Sequence, residues 1–220
     1  MLITFEDINN ILFAKKIKPK GCFHVGAHHC EELNLYLNLG IETKDIIWIE
    51  AHPKLVEEMN ARNIPDLNLI QALITDKDDE DVTLNVANNY LSSSILEFGT
   101  HKTEHPDIEF IDKINQKSIT IDTFFERNNI DASKYDFWNF DIQGAELLAL
   151  KGATKSIQHA KIIYLEVNSA ELYKNCALIQ EIDDFLAEYN FKRVLTNMTQ
   201  HKWGDALYVK CVDDKEFLLQ

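Results

Sequence analysis

An α/β fold, a twisted and mostly parallel sheet with helices on both faces, is what this sequence predicts, and three observations carry the prediction. Short β-branched or aromatic runs alternate with stretches of helical periodicity through most of the 220 residues. Glycine or proline stands at many of the joints, as at Gly21, Gly40, Pro53 and Gly152. The 45% hydrophobic content is enough for a continuous core, yet no apolar run approaches the ~20 residues of a membrane helix.

In order, residues 1–20 form an N-terminal helical segment with Phe5, Ile8 and Leu12 on one face. Cys22–Val25 reads as a strand, followed by a glycine-containing turn and a helix from Glu31 to Gly40. Ile46–Glu50 is a second strand, and Pro53 suits the first turn of the helix carrying Leu55, Val56 and Met59. Residues 67–74 read as a third strand; Val82, Leu84 and Val86 alternate like an edge strand or hairpin arm. Residues 90–117 are irregular, with Gly99, His101, His105 and Pro106, and are expected to form a lid or acceptor loop. Strand character returns at 118–121. Residues 137–141 and 162–167 read as buried strands around a helix at 145–151, and Leu178, Ile182, Phe185, Leu186 and Tyr189 as a helical stripe. Strands at 191–195 and 206–211 follow. With no repeat and no linker, 1–220 reads as a single domain.

Charge narrows the partners. Against 36 Asp and Glu stand 22 Lys and Arg, a formal charge of −14. Binding that neutralises phosphates needs a basic footprint, so no nucleic acid and no membrane partner is expected. The N-terminus lacks the order of a secretory signal, and Cys22, Cys30, Cys176 and Cys211 are too scattered for a disulfide scaffold, so a reduced, cytoplasmic protein is expected. Nothing in the sequence speaks to oligomeric state.

Open α/β sheets bind ligands beyond the carboxyl ends of their strands. Gly26, in FHVGAHHC, lies in the first strand-to-helix turn, and Glu50 ends the second strand, where a carboxylate can accept hydrogen bonds from ribose hydroxyls. Its bland role is capping the helix after Pro53. A dinucleotide fold needs further glycines so that pyrophosphate can reach backbone amides, but His28 and Glu31 occupy those positions. S-adenosylmethionine has adenosine without phosphates, so the pattern favours it over NAD.

The chain resembles the FkbM family of S-adenosylmethionine-dependent methyltransferases. The resemblance runs through FHVGAHHCEE, IWIEAHP, QAL, the serines Ser92 to Ser94, SITIDTFF and above all FDIQGAELLALKGA followed by IIYLEV. It implies a class I methyltransferase (Rossmann-like) fold, with a seven-stranded sheet whose last strand is antiparallel, and methylation of a hydroxyl on a sugar, glycan or other small metabolite. It further implies that Gly26, Ala27 and His28 form the cofactor turn and that Glu50, with Ala51, is the ribose acid. Gln71 and Ala72 fall near the adenine, Ser94 falls in the serine segment, and Asp141 stands where methyl group and acceptor meet. The chain departs from the family pattern in having His24 in place of an acid, Cys30 in place of a glycine and Gln143 in place of the block's second carboxylate.

Methyl transfer is an in-line displacement, so the protein must chiefly align the acceptor oxygen and help remove its proton. Asp141 is the first candidate for that role, its bland alternative being a helix cap. His28 is a second candidate base, with turn hydrogen bonding as its alternative, and Glu166 is a third acceptor-side residue, with capping or a salt bridge as its alternative. His24, between apolar neighbours, reads as structural. Cys22, His24, His28, His29 and Cys30 resemble a ligand list without the paired spacing of a zinc site, and no metal is expected. Cys30, at a helix start, is either an acidified thiol or a small residue filling a glycine slot. His101 and His105 belong to the lid or to solvent. A catalytically degenerate nucleoside-binding or interaction protein is the alternative reading.

Overall fold

The computed structural model describes residues 1–211, so 212–220 of the single-domain expectation lie outside the described residues. Its strands are β1 (Cys22–Val25), β2 (Ile46–Glu50), β3 (Asn68–Gln71), β4 (Leu73–Ile74), β5 (Asp81–Ala87), β6 (Phe110–Ile119), β7 (Phe137–Phe140), β8 (Ile162–Asn168), β9 (Phe191–Met198) and β10 (Trp203–Lys210). Its helices are α1 (Phe5–Ala14), α2 (Leu33–Asn38), α3 (Pro53–Ala61), α4 (His101–Glu104), α5 (Ile121–Arg127), α6 (Glu146–Lys151) and α7 (Ile179–Glu188). Seven strands form one sheet in the order β3-β2-β1-β7-β8-β10-β9. Neighbours from β3 to β8 run parallel, and β10 lies antiparallel between β8 and β9. The seven strands, with the last of them, β10, antiparallel, match the sheet that the resemblance implied.

Central parallel strands are buried on both faces, which is why β1, β2, β7 and β8 read as continuous apolar runs and not as alternations. One face, with Phe23, Ile49, Trp138 and Leu165, packs on α5, α6 and α7. The other, with Cys22, Trp48, Phe137 and Tyr164, packs on α1, α2 and α3. Local chemistry fixes the helix starts. Thr120 caps α5 by accepting from the Thr123 amide, and His52 caps α3 through Nδ1, ahead of Pro53.

The structure departs from the sequence reading in several places. Residues 67–74 are two strands in two sheets: the chain leaves the main sheet at Ala72, and β4 pairs with β6 in a three-stranded sheet ordered β4-β6-β5. The expected loop 90–117 is irregular only to about residue 109, because β6 occupies Phe110–Ile119. Its exposed faces carry Lys, Asn, Gln and Asp, and that polarity hides the strand pattern. Ile121 begins α5 instead of ending a strand. In α1, Ile8 and Leu12 are buried, whereas Phe5 is exposed. Among the described residues no helix is long and apolar enough to cross a membrane.

Candidate active site at the carboxyl end of the sheet

Strand register builds the site. Val25 pairs with Ile49 on one side and Phe140 on the other, and Phe140 pairs with Leu165, so the next residues along stand abreast: Glu50, Gly26, Asp141 and Glu166. Glu166 is in turn the register partner of Asp205 on β10. Five neighbouring strands therefore present four carboxyl groups and one glycine in a single row. The row borders a cavity of about 520 Å³, roofed by residues of the segment before β6, among them Ser94, His101 and His105.

Gly26 has φ +94, and a Cβ there would lie 1.9 Å from the Asp141 carbonyl oxygen. Only glycine permits this approach. The turn it opens uses its own amides. Gly26 and Ala27 both donate to the Ile49 carbonyl at 2.9 Å, and the His28 amide donates to Glu50 Oε2 at 2.8 Å. Glu50 Oε1 accepts from the His52 amide at 2.7 Å, so Glu50 also serves the helix start. Burial raises its pKa, opposed by these two N–H bonds. Each carboxylate oxygen keeps acceptor capacity on the cavity side.

Ala51 and Ala72 line the cavity, their small side chains leaving room beside Glu50. Gln71 does not line it: its amide donates to Gln116 Oε1 at 3.2 Å on the exposed edge of β3. Ser94 is buried in the wall, and its hydroxyl donates to the Gln143 carbonyl at 2.7 Å. His28 lines the mouth with its ring Nδ1 2.6 Å from Glu31 Oε1. His28, His29 and Glu31 bring ligand-capable atoms within 4.8 Å of one another, while Cys22, His24 and Cys30 take no part in that group.

Asp141 is exposed to the cavity, and the surrounding protein, with Asp205, raises its pKa against the lowering effect of Gln143. It is not the helix cap. No side chain caps α6 at Ala145; Glu146, its first residue, instead accepts from the Ile142 and Gly144 amides of the loop ahead of it, at 3.0 and 3.2 Å. Gln143 Nε2 donates to Asp141 Oδ1 and to Glu166 Oε2, both at 2.8 Å. Its Oε1 accepts from Tyr173 at 2.7 Å, which fixes the amide orientation. The departure at Gln143 thus clamps two acids together. Glu166 has a strongly raised pKa, through burial first and then Asp141, Glu146 and Asp205.

His24 and Cys30 have structural settings. His24 is buried under the row, its Nδ1 2.9 Å from the Tyr36 hydroxyl and its ring on Trp48, and burial holds its pKa near about 3, so it is neutral. Cys30 has φ +55 and is buried, and its thiol is pushed up to about 12 by burial and nearby Glu31 and Glu32. The glycine slot is therefore a left-handed position filled by a small residue, and the acidified-thiol alternative does not hold.

Sequence reading missed Asp205, Tyr173 and Glu32. Asp205 sits among apolar residues on β10, where a lone buried acid was the available signal; its carboxyl accepts from the Tyr164 hydroxyl and the Leu2 amide. Glu32 lines the cavity with its pKa raised to about 7 by burial and Asp141.

The donor set fits an adenosine-bearing cofactor without phosphates. Glu50 offers an acid to the cavity at the end of β2, Ala51 and Ala72 leave space beside it, and the turn amides that would cradle pyrophosphate are already bonded within the protein. No curated protein matches the chain. Among solved structures the chain is similar to magnesium protoporphyrin IX methyltransferase from Synechocystis PCC 6803 with bound SAM, at 10% identity and TM-score 0.47, over 94% of this chain and 78% of that one. It is also similar to the ribosomal protein L11 methylase from Lactobacillus delbrueckii subsp. bulgaricus (12% identity, TM-score 0.46, 94% and 79% covered). A third is the glycopeptide N-methyltransferase MtfA complexed with sinefungin (8% identity, TM-score 0.43, 94% of each chain covered). The pattern of the methyltransferase FkbM domain matches residues 24–193, most of the chain, and the protein belongs to this methyltransferase family.

Proposed function

We propose that the protein methylates a hydroxyl group on a sugar or other small metabolite. The observation that carries the reading is the pair Asp141 and Glu166, held by one amide at the cavity wall beside the cofactor turn. When bound, S-adenosylmethionine supplies an electrophilic methyl group. Glu50, Gly26, Ala27, Ala51 and Ala72 would hold its nucleoside part. Asp141 would orient the acceptor hydroxyl and take its proton as the oxygen attacks. A raised pKa makes Asp141 a stronger base than an ordinary carboxylate, closer to what proton removal near neutral pH needs. Glu166 is the partner that receives the acceptor from the neighbouring strand. Gln143 fixes both carboxyls, so neither must reorganise during the step.

The test is transfer of isotopically labelled methyl from S-adenosylmethionine across a panel of sugars and hydroxylated metabolites, with the product's site read by mass spectrometry. O-methyl products that disappear in Asp141→Asn are expected. Label found on nitrogen or carbon would overturn the reading. Cofactor binding with no transfer to any member would instead support a binding protein that keeps the fold.

A further inference from the structure

Cys22, His24, His28, His29 and Cys30 do not assemble into one ligand set: His24 is buried against Trp48, and Cys30 is buried with its thiol pKa raised. The structure gathers a different one. His28, His29 and Glu31, in the turn after β1, place ligand-capable atoms within 4.8 Å of one another, with His28 and Glu31 lining the mouth of the cavity. All three side chains are partly open to solvent, so an ion can reach them.

Glu31 serves both rings. Its Oε2 accepts from the His29 amide at 3.1 Å, and its Oε1 lies 2.6 Å from His28 Nδ1 and 3.9 Å from His29 Nδ1. Burial acts to raise the Glu31 pKa, but the His28 and His29 hydrogen bonds prevail and the net direction is down, so the carboxylate is ionised. The other nitrogen of His29, Nε2, is 3.4 Å from Glu58 Oε2 on α3. A carboxylate there favours the ring proton on Nε2 and leaves the Nδ1 lone pair toward Glu31, which is how metal-binding histidines are commonly held. An ion pair of His28 with Glu31 accounts for the 2.6 Å contact, but not for a second ring turned to the same oxygen. Around a tetrahedral ion with bonds of about 2.0–2.1 Å, donor atoms lie roughly 3.3 Å apart, so the 2.6 and 3.9 Å separations each need to change by less than about 1 Å.

We propose that His28, His29 and Glu31 bind one divalent ion of the zinc class at the mouth of the cavity. Two imidazoles and a carboxylate suit zinc, cobalt or nickel, whereas magnesium and calcium take oxygen ligands. Three protein ligands leave a fourth position for water or for a donor atom of a bound molecule. Glu58 is a positioning residue that orients His29. Because the His28 amide also donates to Glu50, the ion fixes the side chains of the same turn whose main chain Glu50 holds. The site requires neither methyl transfer nor the Asp141–Glu166 pair.

Titration of zinc, and separately of cobalt(II), into the full chain stripped of metal by a chelator tests this at pH ~7.5, above the ordinary imidazole pKa. One equivalent is expected to bind with a Kd of about 10 μM or tighter, unmoved by an equal concentration of magnesium. Affinity should fall about tenfold or more in His29→Gln and in Glu31→Gln, and by a smaller factor in Glu58→Gln. Bound cobalt should show visible d–d bands without a thiolate charge-transfer band in the near ultraviolet. His201→Gln, which alters the separate His105–His201 ring pair, should keep wild-type affinity. Circular dichroism shows that each variant is folded, and the wild-type stoichiometry and cobalt spectrum stand by themselves should one of them not be. No saturable binding, a thiolate band, displacement by equal magnesium, wild-type affinity in both His29→Gln and Glu31→Gln, or loss of the ion in His201→Gln overturns the proposal.

Discussion

The two halves of the carboxyl row are built on different principles. Over β1 and β2, the turn amides meet the Ile49 carbonyl and Glu50, and both Glu50 oxygens accept backbone N–H groups. Over β7, β8 and β10, Asp141 and Glu166 share one side-chain amide, and Asp205 accepts from the Tyr164 hydroxyl and the Leu2 amide. The first half is held in place by backbone hydrogen bonds, which offset part of the cost of burying Glu50. The second brings three acids close together and raises the pKa of Asp141 and Glu166, as acid–base sites do.

The largest expected effect breaks the first half. Gly26→Ala forces a Cβ onto the Asp141 carbonyl and a strained φ, and should cost about 3–5 kcal/mol in chemical denaturation, together with cofactor binding. Next, Asp141→Asn should lower kcat roughly 10²–10⁴-fold while leaving S-adenosylhomocysteine affinity nearly unchanged, which separates the two halves functionally. Glu50→Ala should do the reverse, weakening S-adenosylhomocysteine about tenfold to a hundredfold.

Gln143→Leu sharpens the comparison. The Gln143 bond lowers the pKa of both Asp141 and Glu166, so its loss raises them further, and the acidic limb of the pH–rate profile should move to higher pH. An unmoved limb would show that neither carboxyl is the base.

The smallest effect is thermodynamic. Glu32 has a folded pKa of about 7, above its ordinary value, so its contribution is fully present below the unfolded pKa and is lost as pH rises through about 7. Glu32→Gln should therefore raise Tm at pH ~8 by on the order of 2–4 °C, about 1 kcal/mol, and leave it unchanged near pH ~4.

The β1–β2 half was the more legible in sequence. Gly26 and Glu50 end apolar runs, and strand ends are visible wherever such a run stops. Asp141 and Glu166 were legible for the same reason. Asp205 was not, because its place depends on β10 inserting antiparallel between β8 and β9, a long-range pairing that no local pattern encodes. Gln143 read as a loss because its clamp exists only once Tyr173, thirty positions on, reaches it. The strand β6 was hidden by its polar faces, and Gln71 faces outward because the chain changes sheets at Ala72.

Titration of S-adenosylhomocysteine into the wild-type protein tests the central claim most directly. The account predicts saturable binding, weakened in Glu50→Ala, with no binding of NADH. A folded wild-type protein that leaves S-adenosylhomocysteine unbound at millimolar concentration would contradict it.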